Sequence, residues 1–259
     1  MTPAHSFLEM FSWIPIYEET AQRLMEYEDC QRELIAELKE MQKRKLSVIP
    51  LGDASGELQE IDPFTFMANF NRQMIWDKRF KLWEVLKERW QLRSPLPSDF
   101  HGIPALYAIG AWYFSSKRTP NDIPTLWKLA KSILKGEGDL NEAFNQCLQI
   151  NGVKLTKLSV GIFCLAPKRF LPLAQTTLRY LKSLGSPEAP KNAAEYLQLV
   201  EWAKKATGKD GIAIAHDAWL WCRQSDIETF DFSETCVDNL WHQFNILHPA
   251  LSISHIQKS

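Results

Sequence analysis

Residues 148–184 read LQINGVKLTKLSVGIFCLAPKRFLPLAQTTLRYLKSL, and this stretch constrains most strongly what the rest of the chain can fold into. Its pattern is a helix end, a tight turn at Ile150-Asn151-Gly152-Val153-Lys154, an amphipathic helix, a proline-marked loop over 167–172 and a further helix. No acidic residue stands between Glu142 and Glu188, whereas Lys154, Lys157, Lys168, Arg169, Arg179 and Lys182 all fall there. Such a segment suits a phosphate backbone, because each cation placed near a phosphate releases condensed counterions. A solvated helix pair that is simply basic fits the charge equally well.

Formal net charge is -1 over 259 residues, so anion binding has to come from a local patch rather than from the whole surface. Ten tryptophans and fourteen phenylalanines supply broad, flat apolar contact. Cys30, Cys147, Cys164, Cys222 and Cys236 are odd in number and include no CxxC pair, which points away from a disulfide framework and from a zinc or iron–sulfur site. A reduced interior is the simplest account. No apolar run approaches the roughly 20 residues of a membrane span, and MTPAHSFLEMF lacks the basic start and cleavage site of a signal peptide. The expectation is a soluble, cytoplasmic protein with no membrane partner.

Periodicity predicts an all-α fold. Leu24, Ile35, Leu38 and Met41 recur at helical spacing over 17–46, with Glu19–Arg23, Glu28–Arg32 and Glu40–Arg44 as i,i+4 pairs. The apolar repeat breaks around Glu28 and Gln31; a coiled-coil partner on this helix would make the protein a structural, dimerising one. Residues 47–60 read as a loop with at most a short hairpin. Asp62 then caps a helix that has Pro63 in its first turn, and Phe64, Phe66, Met67 and Phe70 surround Asn69, Asn71 and Arg72. A second stripe, Phe80, Trp83, Leu86 and Trp90, marks a helix over 76–91. A proline-rich connection over 94–104 leads into ALYAIGAWYFS at 105–115, and further helices are predicted over 121–135, 140–150, 193–207, 212–223 and 233–247. No repeat or long linker divides the chain. It reads as one unit over 1–259, with a long helix and loop to 60, a core over 61–187 and C-terminal helices over 188–259.

Much common enzyme chemistry is absent. There is no GxxxxGK[ST], GxGxxG, HExxH, GxSxG or DxDxDG motif. His5, His101, His216, His242, His248 and His255 show no metal-ligand spacing, so no metal site is expected.

Ile150-Asn151-Gly152-Val153-Lys154 with Leu158 resembles the helix-hairpin-helix signature of base-excision DNA glycosylases, L-P-G-V-G followed by three residues and a small one. Gly152 matches; Lys154 and Leu158 replace the second glycine and the small residue. A little over twenty residues further on, that family has F-x-P-hydrophobic-Asp and then an Arg. This chain has Phe170-Leu171-Pro172-Leu173, Ala174 at the Asp position, and Arg179. Over most of the chain the phrases IDPFTFMANFNR, SPLPSDFHGIPAL, AWYF, LWKLAKSIL, FLPLAQTTLRYL and HDAWLWC are similar to the N-terminal region of McrB-like methyl-directed restriction proteins. There a comparable helical segment precedes an AAA+ motor, and the loop commonly reads FLPLD.

The resemblance implies a helix-hairpin-helix glycosylase-like fold that flips a modified base, with altered cytosine in phage DNA as the expected target, out of the stack. Such a protein would be a stand-alone phage-defence glycosylase that leaves abasic sites. Backbone at Gly152 with Lys154, Thr156, Lys157, Gln175, Thr176 and Arg179 would grip DNA, and Lys168 and Arg169 would reach a flanking phosphate. Phe64, Phe66, Asn69, Phe70 and Asn71, with Tyr107, Trp112, Tyr113 and Phe114, would wall a base pocket, and Asp99 and His101 would read an edge. Each aromatic taken singly reads as core. The family's Schiff-base lysine position holds Thr156, which disfavours a lyase route. No cofactor is implied beyond room for a monovalent cation at the hairpin.

Breaking an N-glycosidic bond builds positive charge on the sugar, which a carboxylate stabilises. Ala174 has none, so the implied DNA N-glycosylase would be impaired at this position. Three accounts stay open: Ala174 replaces an original Asp; the chain is a natural reader of modified DNA that recruits a nuclease or motor in trans; or Asp62, Asp77, Asp99 or Asp217 supplies the carboxylate.

Overall fold

A computed structural model describes residues 11–53, 56–71, 75–104, 106, 112–114 and 118–228. Arg72, Tyr107 and the helix expected over 233–247 lie outside the described residues, as does most of 105–115. The described residues form an all-α fold of ten helices and one minimal antiparallel pair, in which β1 (Gly52–Asp53) faces β2 (Gly56–Glu57). The chain divides into two compact units, Met1–Leu220 and Trp221–Ser259. Of the second, the described part is the end of the last helix.

The long helix expected over 17–46 is two. α1 (Ile14–Leu24) ends at Met25, a single 3-10 turn covers Glu28–Cys30, and α2 (Gln31–Lys43) restarts with Cys30 at φ -131, ψ 43. The break follows the gap in the apolar stripe between Leu24 and Leu34, and Tyr27 leaves the helix to stack on Trp90 at 5.1 Å. Of the three predicted ion pairs, Arg44–Glu40 forms at 3.3 Å. Glu19 instead accepts the backbone N–H groups of Arg93 and Ser94, and Glu28 pairs with Lys131 at 2.9 Å.

α3 (Pro63–Asn71) starts where sequence places it, with Asp62 accepting the Thr65 N–H at 2.8 Å and the Thr65 hydroxyl at 2.6 Å. α4 (Trp76–Trp90) buries Leu82, Trp83, Leu86 and Trp90. α5 (Asp122–Leu134), α6 (Leu140–Leu148), α7 (Leu155–Leu165), α8 (Gln175–Ser183), α9 (Ala193–Thr207) and α10 (Gly211–Glu228) complete the order.

α7 is the centre of the first unit and packs on α1, α3 and α5. Every residue from Leu158 to Leu165 is buried, the pattern of a helix that is apolar all round because it has no solvent face. Gly161 makes the crossing with α3 tight, since a Cβ there would sit 2.9 Å from Phe64 Cδ1 and 3.1 Å from Tyr113 Cε1. Trp13, Tyr17, Phe70 and Trp83 fill the space beside it, Tyr17 and Trp83 having ring centroids 4.4 Å apart.

Candidate nucleic-acid interface

α6 begins conventionally, with Asp139 accepting the Glu142 N–H at 3.0 Å. Past its end, Val153 N–H donates to Ile150 O at 3.0 Å while Gly152 takes φ 79, which is the geometry of a type II turn and the reason a glycine stands there. Val153 is buried and anchors the turn, leaving Asn151, Gly152 and Lys154 exposed. Lys154 is extended and stands at the N-cap of α7, with no side-chain cap and no acid in the first helical turn.

The loop after α7 is held from several sides. The Ser159 hydroxyl accepts the Leu173 N–H at 3.0 Å and donates to Thr156 O at 2.8 Å. The Tyr196 hydroxyl, on α9, donates to Leu171 O at 2.9 Å and accepts the Leu171 N–H at 3.3 Å. Gly211, at the start of α10, donates its N–H to Lys168 O at 3.0 Å, and a Cβ there would meet Phe170 O at 2.1 Å. The loop thereby delivers Ala174, half-buried, to the N-cap of α8 at φ -68, ψ 157.

The start of α8 thus lies two hydrogen bonds from Thr156, beside the start of α7. Both helices begin without a side-chain cap or an acidic first turn, as α1 does, and α2, α4 and α5 also lack a side-chain cap, whereas α3, α6, α9 and α10 are capped by Asp62, Asp139, Asn192 and Asp210. Paired N-termini of this kind present backbone N–H groups and the positive ends of two helix dipoles to an anion. Lys154 and Lys157 flank them. Lys157 is half-buried, its Nζ 4.8 Å from the Tyr113 ring centroid, and the Tyr113 hydroxyl donates to Lys157 O at 2.7 Å. Desolvation lowers the Lys157 pKa from its ordinary value.

Gly152, Lys154, Thr156, Lys157, Ala174, Gln175 and Thr176 are therefore gathered at one end of α7, with exposed Arg179 one turn along α8. Lys168 and Arg169 are not gathered there. They follow the other end of α7, about 15 Å away by helix rise, where Lys168 pairs with Glu18 at 3.4 Å and the Arg169 guanidinium donates to Ile133 O.

The residues expected to wall a base pocket are packed in the core. Phe64, Phe66, Phe70, Trp112, Tyr113 and Phe114 are buried, Phe66 stacking on Trp90 at 5.4 Å and Phe64 meeting Phe114 at 5.7 Å. Asn69 accepts the Ile49 N–H at 2.7 Å and donates to Thr65 O and Phe66 O. Asn71 accepts the Tyr17 hydroxyl at 2.5 Å, and its buried Nδ2 has no hydrogen-bond partner among the described residues. Asp99 accepts the Ser12 N–H and hydroxyl and the His101 N–H, which makes it a loop brace, while the His101 side chain is exposed. Among the other carboxylates, Asp62 is the buried cap of α3, with its pKa raised by desolvation; Asp217 pairs with Lys209 at 2.6 Å; Asp77 is exposed on α4.

Sequence reasoning missed Ser159 and Tyr196. Ser159 carried a signal, as the one hydroxyl inside the apolar run 158–165. Tyr196 looked like any core aromatic. Among the described residues no group of acidic, histidine or cysteine side chains is arranged to hold a metal, Cys30, Cys147 and Cys164 are free thiols, and no helix is long and apolar enough to cross a membrane.

The fold and this site define an all-α protein in which a tight turn links α6 to α7 and the uncapped N-terminus of α7 lies beside that of α8. The chain belongs to the family described as a domain of unknown function, DUF8425, whose model matches residues 13–221. No curated protein and no solved structure matches it.

Proposed function

We propose that this chain is a DNA-binding protein of the helix-hairpin-helix glycosylase type, which grips a phosphate at the starts of α7 and α8 and presents position 174 to the sugar of a modified nucleotide. The observation that carries this reading is the junction of two uncapped helix N-termini through Ser159, flanked by Lys154 and Lys157. With a methyl group at Ala174 there is nothing there to stabilise an oxocarbenium-like sugar, so the chain as it stands recognises DNA without excising the base at this position. The modified-base class, with altered cytosine first, rests on the sequence resemblance. A reader of this kind acts through a nuclease or motor supplied in trans.

Binding of labelled duplexes, unmodified and modified, measured across a salt series tests the grip. Replacing Lys154 and Lys157 together with Ala is expected to weaken binding to all sequences and to reduce the salt slope by about one unit per lost phosphate contact. An unchanged slope would place the basic turn outside the interface.

A further inference from the structure

The outward side of α8 carries charge of one sign. The helix buries Thr177 and Leu181 and contains no acidic residue, and none follows it before Glu188. At 3.6 residues per turn, Gln175, Arg179 and Lys182 fall within an arc of about 60° on the side away from Thr177 and Leu181, and all three are exposed. Other helices mix their signs in solvent, with Glu33 and Lys43 exposed on α2, Lys81 and Glu84 on α4, and Glu201 and Lys205 on α9. Lys43, Lys128, Lys131 and Lys135 each pair with a glutamate. Lys182 pairs with no acidic side chain among the described residues.

In the proposed grip the uncapped start of α8 takes one phosphate. Lys182 stands two turns past Gln175, about 10 Å along the helix axis, which is beyond contact with that phosphate. A cation there complements a second anionic centre held at a fixed separation from the first, as in a polymer whose charges repeat along a line; a lone phosphate or carboxylate does not reach both. We infer that the outward face of α8, through Gln175, Arg179 and Lys182, is a track for the backbone of the DNA strand whose phosphate sits at the helix start. That backbone meets the protein at the turn 151–154, crosses between the starts of α7 and α8 and continues along α8. The inference rests on the reading that the chain binds duplex DNA at those starts, and adds a contact surface outside them.

Binding of a labelled duplex by the full chain, followed by fluorescence anisotropy across a salt series, tests it. Lys182→Ala is expected to lower the salt slope by about 0.9, so that over a fourfold rise in salt the parent loses about 3-fold more affinity than the variant. Lys182→Arg keeps the charge and should keep the parent slope. Lys182 is exposed, so neither change disturbs the core. Lys43→Ala removes an equal charge from exposed α2, and its slope should match the parent; an equal fall in that variant would mean that net charge alone sets the effect, and would overturn the track. A parent slope in Lys182→Ala, with a reduced one in the Lys154 and Lys157 double variant, overturns the track and leaves the grip standing. The reverse pattern removes the grip at the turn and leaves α8 as the contact. A parent that does not bind duplex overturns both, and if it then binds anionic vesicles through Lys182 the face belongs to lipid.

Discussion

Ala174 sits where helices usually place Asp, Asn, Ser or Thr, because the first backbone N–H groups of α8 have no intrahelical acceptor. Ala174→Asp therefore has two separable consequences. It should raise stability by about 0.5–2 kcal/mol through capping, read as a shift in the urea midpoint. It should also supply the missing carboxylate, read as alkali-sensitive breaks in DNA carrying modified bases. A variant that is stabilised and binds tightly yet releases no base would leave the reader function and remove the glycosylase one. His216 gives a second prediction at this scale. It is 8% exposed, with its ring edge-on to Phe11 at 5.3 Å, and desolvation lowers its pKa, outweighing the opposing pull of Asp217 and Asp99. Lys209 and His101 push in the same direction as burial. A base whose folded pKa lies below its unfolded value contributes stability that is fully present above the unfolded pKa, about 6.5, and lost as pH falls from there through the folded value. His216→Phe keeps the ring packing, so denaturation across that window should show a flatter loss than the parent; an equal slope would mean other groups set it. At this scale sequence was informative where spacing carries meaning, as at Gly152 and Ala174. It was uninformative for Asn69, Asn71 and Asp99, whose side chains are committed to partners 20, 54 and 87 residues away.

Helix limits were largely legible in the periodic pattern. α9 spans Ala193–Thr207 as expected, since Asn192 caps it and Gly208 ends it at φ 67. The division of the first long helix was visible as a gap in the stripe, but its cause, Tyr27 stacking on Trp90, joins segments far apart in sequence. Placement of the loop over 166–174 was not legible at all, because it depends on one hydroxyl from α7 and one from α9. Ser159→Ala leaves the buried Leu173 N–H without its acceptor, and Tyr196→Phe removes both bonds to Leu171. Each should cost about 1–3 kcal/mol in the urea midpoint. In an Ala174→Asp background, Ser159→Ala should depress base release more than DNA binding. Equal depression of both would mean that Ser159 supports the fold generally and does not position the loop.

Across the whole molecule, charge is segregated although the net value is only -1. Glu28, Asp29, Glu33, Glu57 and Glu60 line a cleft of about 960 Å³, with Arg32 and Arg118 as its basic members. The turn at 151–154 and the first turns of α7 and α8 contain no acid. On the proposed reading, a chain so divided should repel a polyanion over one region and attract it at another, orienting the encounter and making its rate fall with salt. Composition alone concealed this, since opposite charges cancel in the sum.

The loop that presents Ala174 is clamped by Ser159, Tyr196 and Gly211, and a clamped loop does not reshape itself around a ligand. If the chain binds DNA as proposed, the distortion needed to bring a sugar to position 174 falls on the DNA, whose cost of deformation depends on its sequence and pairing. Affinity should follow the ease of unstacking, rising from a fully paired duplex to one with a mismatch and further to one with an abasic gap. Equal affinity for all three in a competition titration would show that the protein reads an unperturbed helix, and that rigidity at this loop serves the fold alone.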